Sequence, residues 1–239
     1  VSEWGNGFAT TQWTLVWNAA KEDPANGRPA FAELFTRYWQ PLYYLGRRQG
    51  LSPNDTEDAL QAFFAELLGD SLLQKAEPTS GRFRTLLNVA WKRFLIDEYR
   101  KKSAQKRGGK LQRISLEIDA TERDWQHLTT TTTDPDAVFL TAWAESVLRD
   151  VRLRLADEYA ARGRSEQFAV LIEVVSSPID QSGYDDLAQQ LSSTVGAAKV
   201  ALHRLRRRYG EMLRSVIAET VSDESEIDSE IEVLLAALR

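Results

Sequence analysis

Apolar residues recur at intervals of three and four along almost the whole chain, a spacing that specifies helices and little else. After Pro29 they fall at Phe31, Leu34, Phe35, Tyr38, Trp39, Leu42 and Leu45, one broad stripe on a helix that Pro29 is well placed to begin. Pro41 lies inside this stripe and should kink the helix or split it. Ser52 then caps a second helix, with Pro53 at its first position, acids in its first turn, and Leu60, Phe63, Phe64, Leu67 and Leu68 as its apolar side. A loop over 69–81 leads to a third helix over about 83–103. Past Gly108 and Gly109 the period fails. Residues 114–135 mix charges with a threonine run, Thr129 to Thr133, that loses side-chain freedom in a helix and buries little, which reads as a linker. Periodicity returns at Asp136 and persists through 166–175 until Pro178, then gives two short helices joined by a tight turn. Ile227, Ile231, Leu234, Leu235 and Leu238 make a last helical face. The expected fold is all-α: two helical domains joined by a flexible linker, with an extra helix at each terminus.

Composition narrows the chemistry. The chain has no cysteine, which excludes disulfides, thiolate zinc sites and a cysteine nucleophile. Its two histidines, His127 and His203, lie far apart, which argues against a histidine-rich metal site and leaves a carboxylate magnesium site open. No apolar run approaches the ~20 residues that span a bilayer, and no signal peptide is expected, so a cytoplasmic protein without membrane contact is anticipated. The formal net charge of -5 conceals strong segregation. Eleven cations from Arg82 to Arg113 are opposed only by Asp97 and Glu98, and a second basic run holds Lys199, Arg204, Arg206, Arg207 and Arg208. Two separated basic faces on an acidic protein suggest two places that meet phosphate.

Three stretches carry the functional signal. In Tyr184–Arg208, Leu187, Ala188 and Leu191 fit a scaffold helix, residues 192–195 make a turn, and Ala198, Leu202 and Leu205 pack inward. Lys199, His203, Arg204, Arg207 and Arg208 then face out, a helix-turn-helix whose second helix suits a major groove; a plain helical hairpin with a solvated basic face is the competing reading. In 81–110, Phe83, Trp91, Phe94 and Tyr99 are interleaved with cations, as phosphates and unpaired bases together require. Individually, Phe83, Phe94 and Trp91 fit a core equally well. In Asp55–Leu68, Asp55, Glu57, Asp58 and Gln61 line the polar side of an amphipathic helix. Without a second carboxylate cluster or a glycine-rich phosphate loop, that face is weak as enzyme chemistry, and no catalytic residue is expected.

These stretches, in this order, resemble the extracytoplasmic-function (ECF) group of bacterial RNA polymerase sigma factors over roughly Pro29 to Leu213. PAFAELFTRYWQPLYYLGRR and DTEDALQAFF resemble region 2, FRTLLNVAWKRFLIDEYRKK its promoter-melting helix, and YDDLAQQLSSTVGAAKVALHRLRRRY the region 4 helix-turn-helix. The leading FATTQWTLV, the YWQPLY and AQKRGG segments and the acidic C-terminal helix are similar to a planctomycete-type subgroup.

The resemblance implies an N-terminal extension helix (1–28), a sigma region 2-like domain (29–113), a linker (114–136), a sigma region 4-like domain (137–213) and an acidic C-terminal extension helix (214–239). It implies that Asp55, Glu57, Asp58 and Gln61 dock on core RNA polymerase. Promoter DNA is the second implied partner. Its melted -10 strand would be held by Lys75, Thr79, Ser80, Arg82, Phe83, Arg84, Trp91, Lys92, Arg93, Arg100 and Lys101. Its duplex -35 element would be held by Ser193, Thr194, Lys199, His203, Arg204, Arg207 and Arg208. No cofactor or metal is implied; an anti-sigma factor or a Ser/Thr kinase is a further candidate partner. Ser192 and Ser193 depart from the glycine and apolar residue usual in the family, implying a looser turn. Val200 and Ala201 stand where many members carry polar or basic groups, and Ala197 lacks a common hydroxyl.

Two other readings compete. A helix-turn-helix regulator acting without polymerase accounts for Tyr184–Arg208 but leaves the first basic-aromatic helix without a task. A magnesium nuclease using Asp55, Glu57 and Asp58 is the third. The C-terminal helix, with apolar residues on one side and Glu226, Asp228, Glu230 and Glu232 on the other, is expected to pack on one of the domains, either shielding basic surface or serving only to stabilise the fold.

Overall fold

The computed structural model describes residues 24–69, 82–104, 121–122 and 134–239. The expectations for residues 1–23, for the loop carrying Lys75, Thr79 and Ser80, and for most of the linker lie outside the described residues. What is described is an all-α, multi-helix protein. Its helices are α1 (Pro24–Arg48), α2 (Pro53–Gly69), α3 (Phe83–Ala104), α4 (Pro135–Ala160), α5 (Ser165–Glu173), α6 (Gln181–Gln190), α7 (Val195–Ala218) and α8 (Ile227–Ala237). A 3-10 turn, Glu224–Glu226, leads into α8. The chain forms two compact units, Val1–Ser146 with Ile217–Arg239, and Val147–Val216.

In the first unit, α1, α2 and α3 pack on one another. α1 is unbroken through Pro41, so the splitting alternative does not occur. Tyr38, Leu42, Tyr43, Tyr44 and Leu45 around that proline are buried, and tertiary packing outweighs the one helical hydrogen bond that proline removes. Ser52 caps α2: its hydroxyl accepts the Asp55 backbone N–H at 3.1 Å. Gly46 lets the three helices approach, because a Cβ there would lie 2.9 Å from Thr56 Cγ2 and 3.2 Å from Trp91 Cζ2. Behind it lies an aromatic cluster. Trp91 stacks on Phe94 at 5.8 Å between centroids and meets the edge of Phe63 at 5.2 Å.

Two distant segments complete this unit. Within the expected linker, Thr121 and Glu122 are helical, and Glu122 accepts hydrogen bonds from the Tyr43 hydroxyl and from Arg47 Nε, both at 2.6 Å. Burial pushes the Glu122 carboxyl up, but the hydrogen bonds from Arg47 and Tyr43 outweigh it and hold the group below its ordinary value. The C-terminal segment also returns here. Arg37 pairs with Glu219 at 3.0 Å, the Phe83 N–H donates to the Thr220 carbonyl at 3.3 Å, and the Thr141 hydroxyl donates to the Ala237 carbonyl at 3.0 Å.

The second unit buries Val147, Val151 and Leu155 with Phe168, Leu171, Leu187, Ala198, Leu202 and Leu205. Asp180 caps α6 by accepting the Gly183 N–H at 2.8 Å. The helix ends in a Schellman motif: Ser193 N–H donates to the Ala188 carbonyl at 2.9 Å and Ser192 N–H to the Gln189 carbonyl at 3.0 Å. This closure sets Ser192 in the left-handed region, φ 47°. Serine carries a Cβ penalty there of about 1–2 kcal/mol, so Ser192→Gly should stabilise the second unit by about 1 kcal/mol in urea unfolding. A neutral or destabilised variant would show that the Ser192 side chain is needed at the turn.

Candidate nucleic-acid interface

The outer side of α3 is assembled from residues four, three and four apart. Val89, Arg93, Ile96 and Arg100 form one exposed stripe, with Tyr99, 77% exposed, at its edge. Of the residues expected to hold the -10 strand, Arg93 and Arg100 stand on this stripe. Lys101 extends α3, and Lys92 lies beside the stripe, where its ammonium pairs with the Asp136 carboxylate at 2.5 Å. The hydrogen bond from Lys92, then that from Asn88, holds the Asp136 carboxyl below its ordinary value. Such a half-exposed pair is worth about 0–1 kcal/mol, so a phosphate can replace Asp136 at little cost.

The remaining described members of that set are placed otherwise. Phe83 and Trp91 are buried at 2% and 0% exposure, so in this arrangement no base can stack on either ring. Arg84 is buried as well, its guanidinium 5.0 Å from the Trp143 ring and bonded bidentately to Glu230 of α8 at 2.5 and 3.0 Å. Arg82 reaches the same carboxylate at 2.9 Å and donates to the Ser229 hydroxyl at 2.8 Å. The C-terminal helix therefore packs on the first unit and covers two of the cations that sequence assigned to DNA. Val89 and Ile96 were missed as surface residues. Neither was assigned a role from the sequence, and the cue was their phase with Arg93 and Arg100.

On α2, Asp55 and Asp58 are exposed and Glu57 is half-buried. Gln61 is buried and donates to Glu57 at 3.3 Å, which places it beneath the acidic face rather than on it.

The second unit presents α6 and α7 as a helix-turn-helix. Ser193, Thr194, Lys199, His203, Arg204 and Arg207 are exposed. The Thr194 hydroxyl accepts the Ala197 N–H at 3.2 Å and so caps α7. Lys199 is drawn sideways: its ammonium lies 4.9 Å from the Tyr184 ring and donates to Gln181 at 3.0 Å. Arg208 is held by Glu158 at 2.5 Å and Glu211 at 3.1 Å. The hydrogen bond from Arg208 holds the Glu158 carboxyl below its ordinary value. Arg206 fixes α7 to the end of α5 by donating to the carbonyls of Val174, Val175 and Ser177.

Among the described residues no group of three or more histidine or carboxylate side chains is placed to hold a metal ion. No described helix is long and apolar enough to cross a membrane. Helical units, two exposed basic helix faces and one acidic face define a nucleic-acid-binding class of protein more than an enzyme. Residues 25–175, well over half of the chain, match the family model described as ECF sigma factor. The chain belongs to the ECF sigma factor family, whose members are non-catalytic factors of transcription initiation. No curated protein and no solved structure matches it.

Proposed function

We propose that this chain binds core RNA polymerase through α2, holds the melted -10 strand on the outer stripe of α3, and places α7 in the -35 major groove. The first unit then serves as the sigma region 2-like domain (29–113), with a linker over 114–136. The region 4-like domain (137–213) then comprises most of the second unit, Val147–Val216, together with the part of α4 that precedes it. The observation that carries the reading is the pair of exposed basic stripes, Arg93 with Arg100 and Arg204 with Arg207, on a chain of the ECF family. Exposed cations provide phosphate affinity, and the apolar neighbours on α3 offer unpaired bases a surface that solvent alone would not favour. On α2, Asp55, Glu57 and Asp58 offer an acidic face to the polymerase, and Gln61 orients Glu57 from below.

The two stripes should fail separately. With core polymerase, Arg204→Ala or Arg207→Ala should weaken binding to a duplex -35 element yet leave a pre-melted -10 bubble usable. Arg93→Ala should impair opening of a duplex template while sparing -35 binding. Each phosphate contact removed from duplex DNA should lower the salt slope of log K by about 0.9. In vitro transcription on both template types checks this. Equal losses on both templates from every variant would remove the division of labour, and specific duplex binding without core polymerase would favour a free-standing regulator.

A further inference from the structure

The exposed front of α7 is formed by Gly196, Val200, His203 and Arg207, which follow one another at four, three and four residues, with Ala197 and Arg204 alongside. Intramolecular bonds already occupy Thr194, Lys199, Arg206 and Arg208, as described above, and Arg207 Nε lies 3.6 Å from Glu211 in an exposed pair that a phosphate can replace at little cost. What remains to face a groove is basic toward the C-terminal half and apolar toward the N-terminal half. The N-terminal part of a recognition helix is the part that reaches base edges. Val200 sits at the centre of that half, 49% exposed, and its branched methyls offer no hydrogen bond.

Resting on the reading of α7 as the -35 helix, we propose that Val200 reads thymine C5-methyl groups in the -35 major groove. The central base preference of this chain is then set by an apolar contact in place of a bidentate hydrogen bond. The major groove displays that methyl at T·A pairs alone, so an apolar side chain seated against it discriminates by shape and desolvation. Valine is short, and such contact requires the helix to seat deeply. Gly196 meets that requirement: a Cβ there would touch nothing within 4 Å, so its side of the helix is low and open. Arg204 and Arg207, on the next turns, supply the phosphate contacts that hold the helix at that depth.

The test uses the full chain with core polymerase and the -35 duplex that it selects from a randomised library. Each thymine of that element is replaced in turn by uracil, which removes the methyl and keeps every hydrogen-bonding group. At one or two positions uracil should weaken the parent chain about fourfold, the value of one buried methyl-sized group. Val200→Ala should bind the thymine duplex more weakly and show little further loss with uracil. A selected element without T·A pairs, or parent binding indifferent to uracil at every position, overturns the proposal. In either case, loss of binding in Arg204→Ala and Arg207→Ala would keep the -35 reading of α7 intact. If those two variants also bind like the parent, that reading itself has failed.

Discussion

Glu230→Gln should destabilise the first unit by about 3–5 kcal/mol, the range for removing one partner of a buried ion pair. The Glu230 side chain is 1% exposed, Arg84 is 11% exposed, and Arg82 closes over the same carboxylate. The amide retains the shape but strips the compensating charge from a largely buried guanidinium stacked on Trp143. Arg82, 27% exposed, can recover water; Arg84 cannot recover as much. A double variant, Arg84→Met with Glu230→Leu, should regain most of the loss, since apolar replacement removes the desolvation cost along with the attraction. Urea unfolding followed by tryptophan fluorescence measures both. A Glu230→Gln protein within 1 kcal/mol of the parent would mean that the carboxylate is hydrated and α8 only loosely seated. The same variant also tests shielding, because Leu234 and the rest of α8 are retained. If α8 masks phosphate-binding cations, loosening it should raise polymerase-free affinity for DNA at low salt.

The Arg84–Glu230 pair also marks the boundary of what the sequence could disclose. Local rules carried far: Ser52 was legible as a cap, Pro53 as a first helical residue, and the α6–turn–α7 hairpin as a hairpin, because each depends on neighbours within a few positions. Arg84 looked like any other cation of the run from Arg82 to Arg113, and its partner lies 146 residues away. No periodicity encodes that. Similarly, Trp91 was assigned to the -10 strand and Tyr99 was not, and the packing of α3 against α1 and α2 turned Trp91 inward and left Tyr99 exposed. Val89 and Ile96 went unassigned, and they stand exposed beside Arg93 and Arg100. Gln61 shows a smaller version: its polarity suggested a surface, yet its amide is spent on Glu57 one turn away. The missing information is pairwise and long-range, and it decides which basic residues are available for DNA.

That distinction gives opposite expectations for two aromatics of one helix. Trp91→Ala should destabilise the first unit by about 3–5 kcal/mol, as for other buried large aromatics truncated to alanine. Its ring is fully buried, stacked on Phe94, edge-on to Phe63 and close against Gly46, so truncation leaves a cavity that three helices border. Trp91→Phe should cost less, because an aromatic remains between Phe63 and Phe94. Tyr99→Ala removes an exposed ring and should change stability by no more than about 0.5 kcal/mol. Strand opening should respond in the reverse order once folding is accounted for. If the outer stripe of α3 carries unpaired bases, losing the Tyr99 ring should cost opening about 1–3 kcal/mol of stacking. Urea unfolding gives the first quantity, and permanganate reactivity of unpaired thymines on a duplex promoter with core polymerase gives the second. Trp91→Ala with parental stability and a selective loss of opening would place the indole at the DNA after all. Tyr99→Ala with undiminished opening would leave the stripe to phosphate contacts alone, with Arg93 and Arg100 holding the strand by charge and its bases stacked elsewhere.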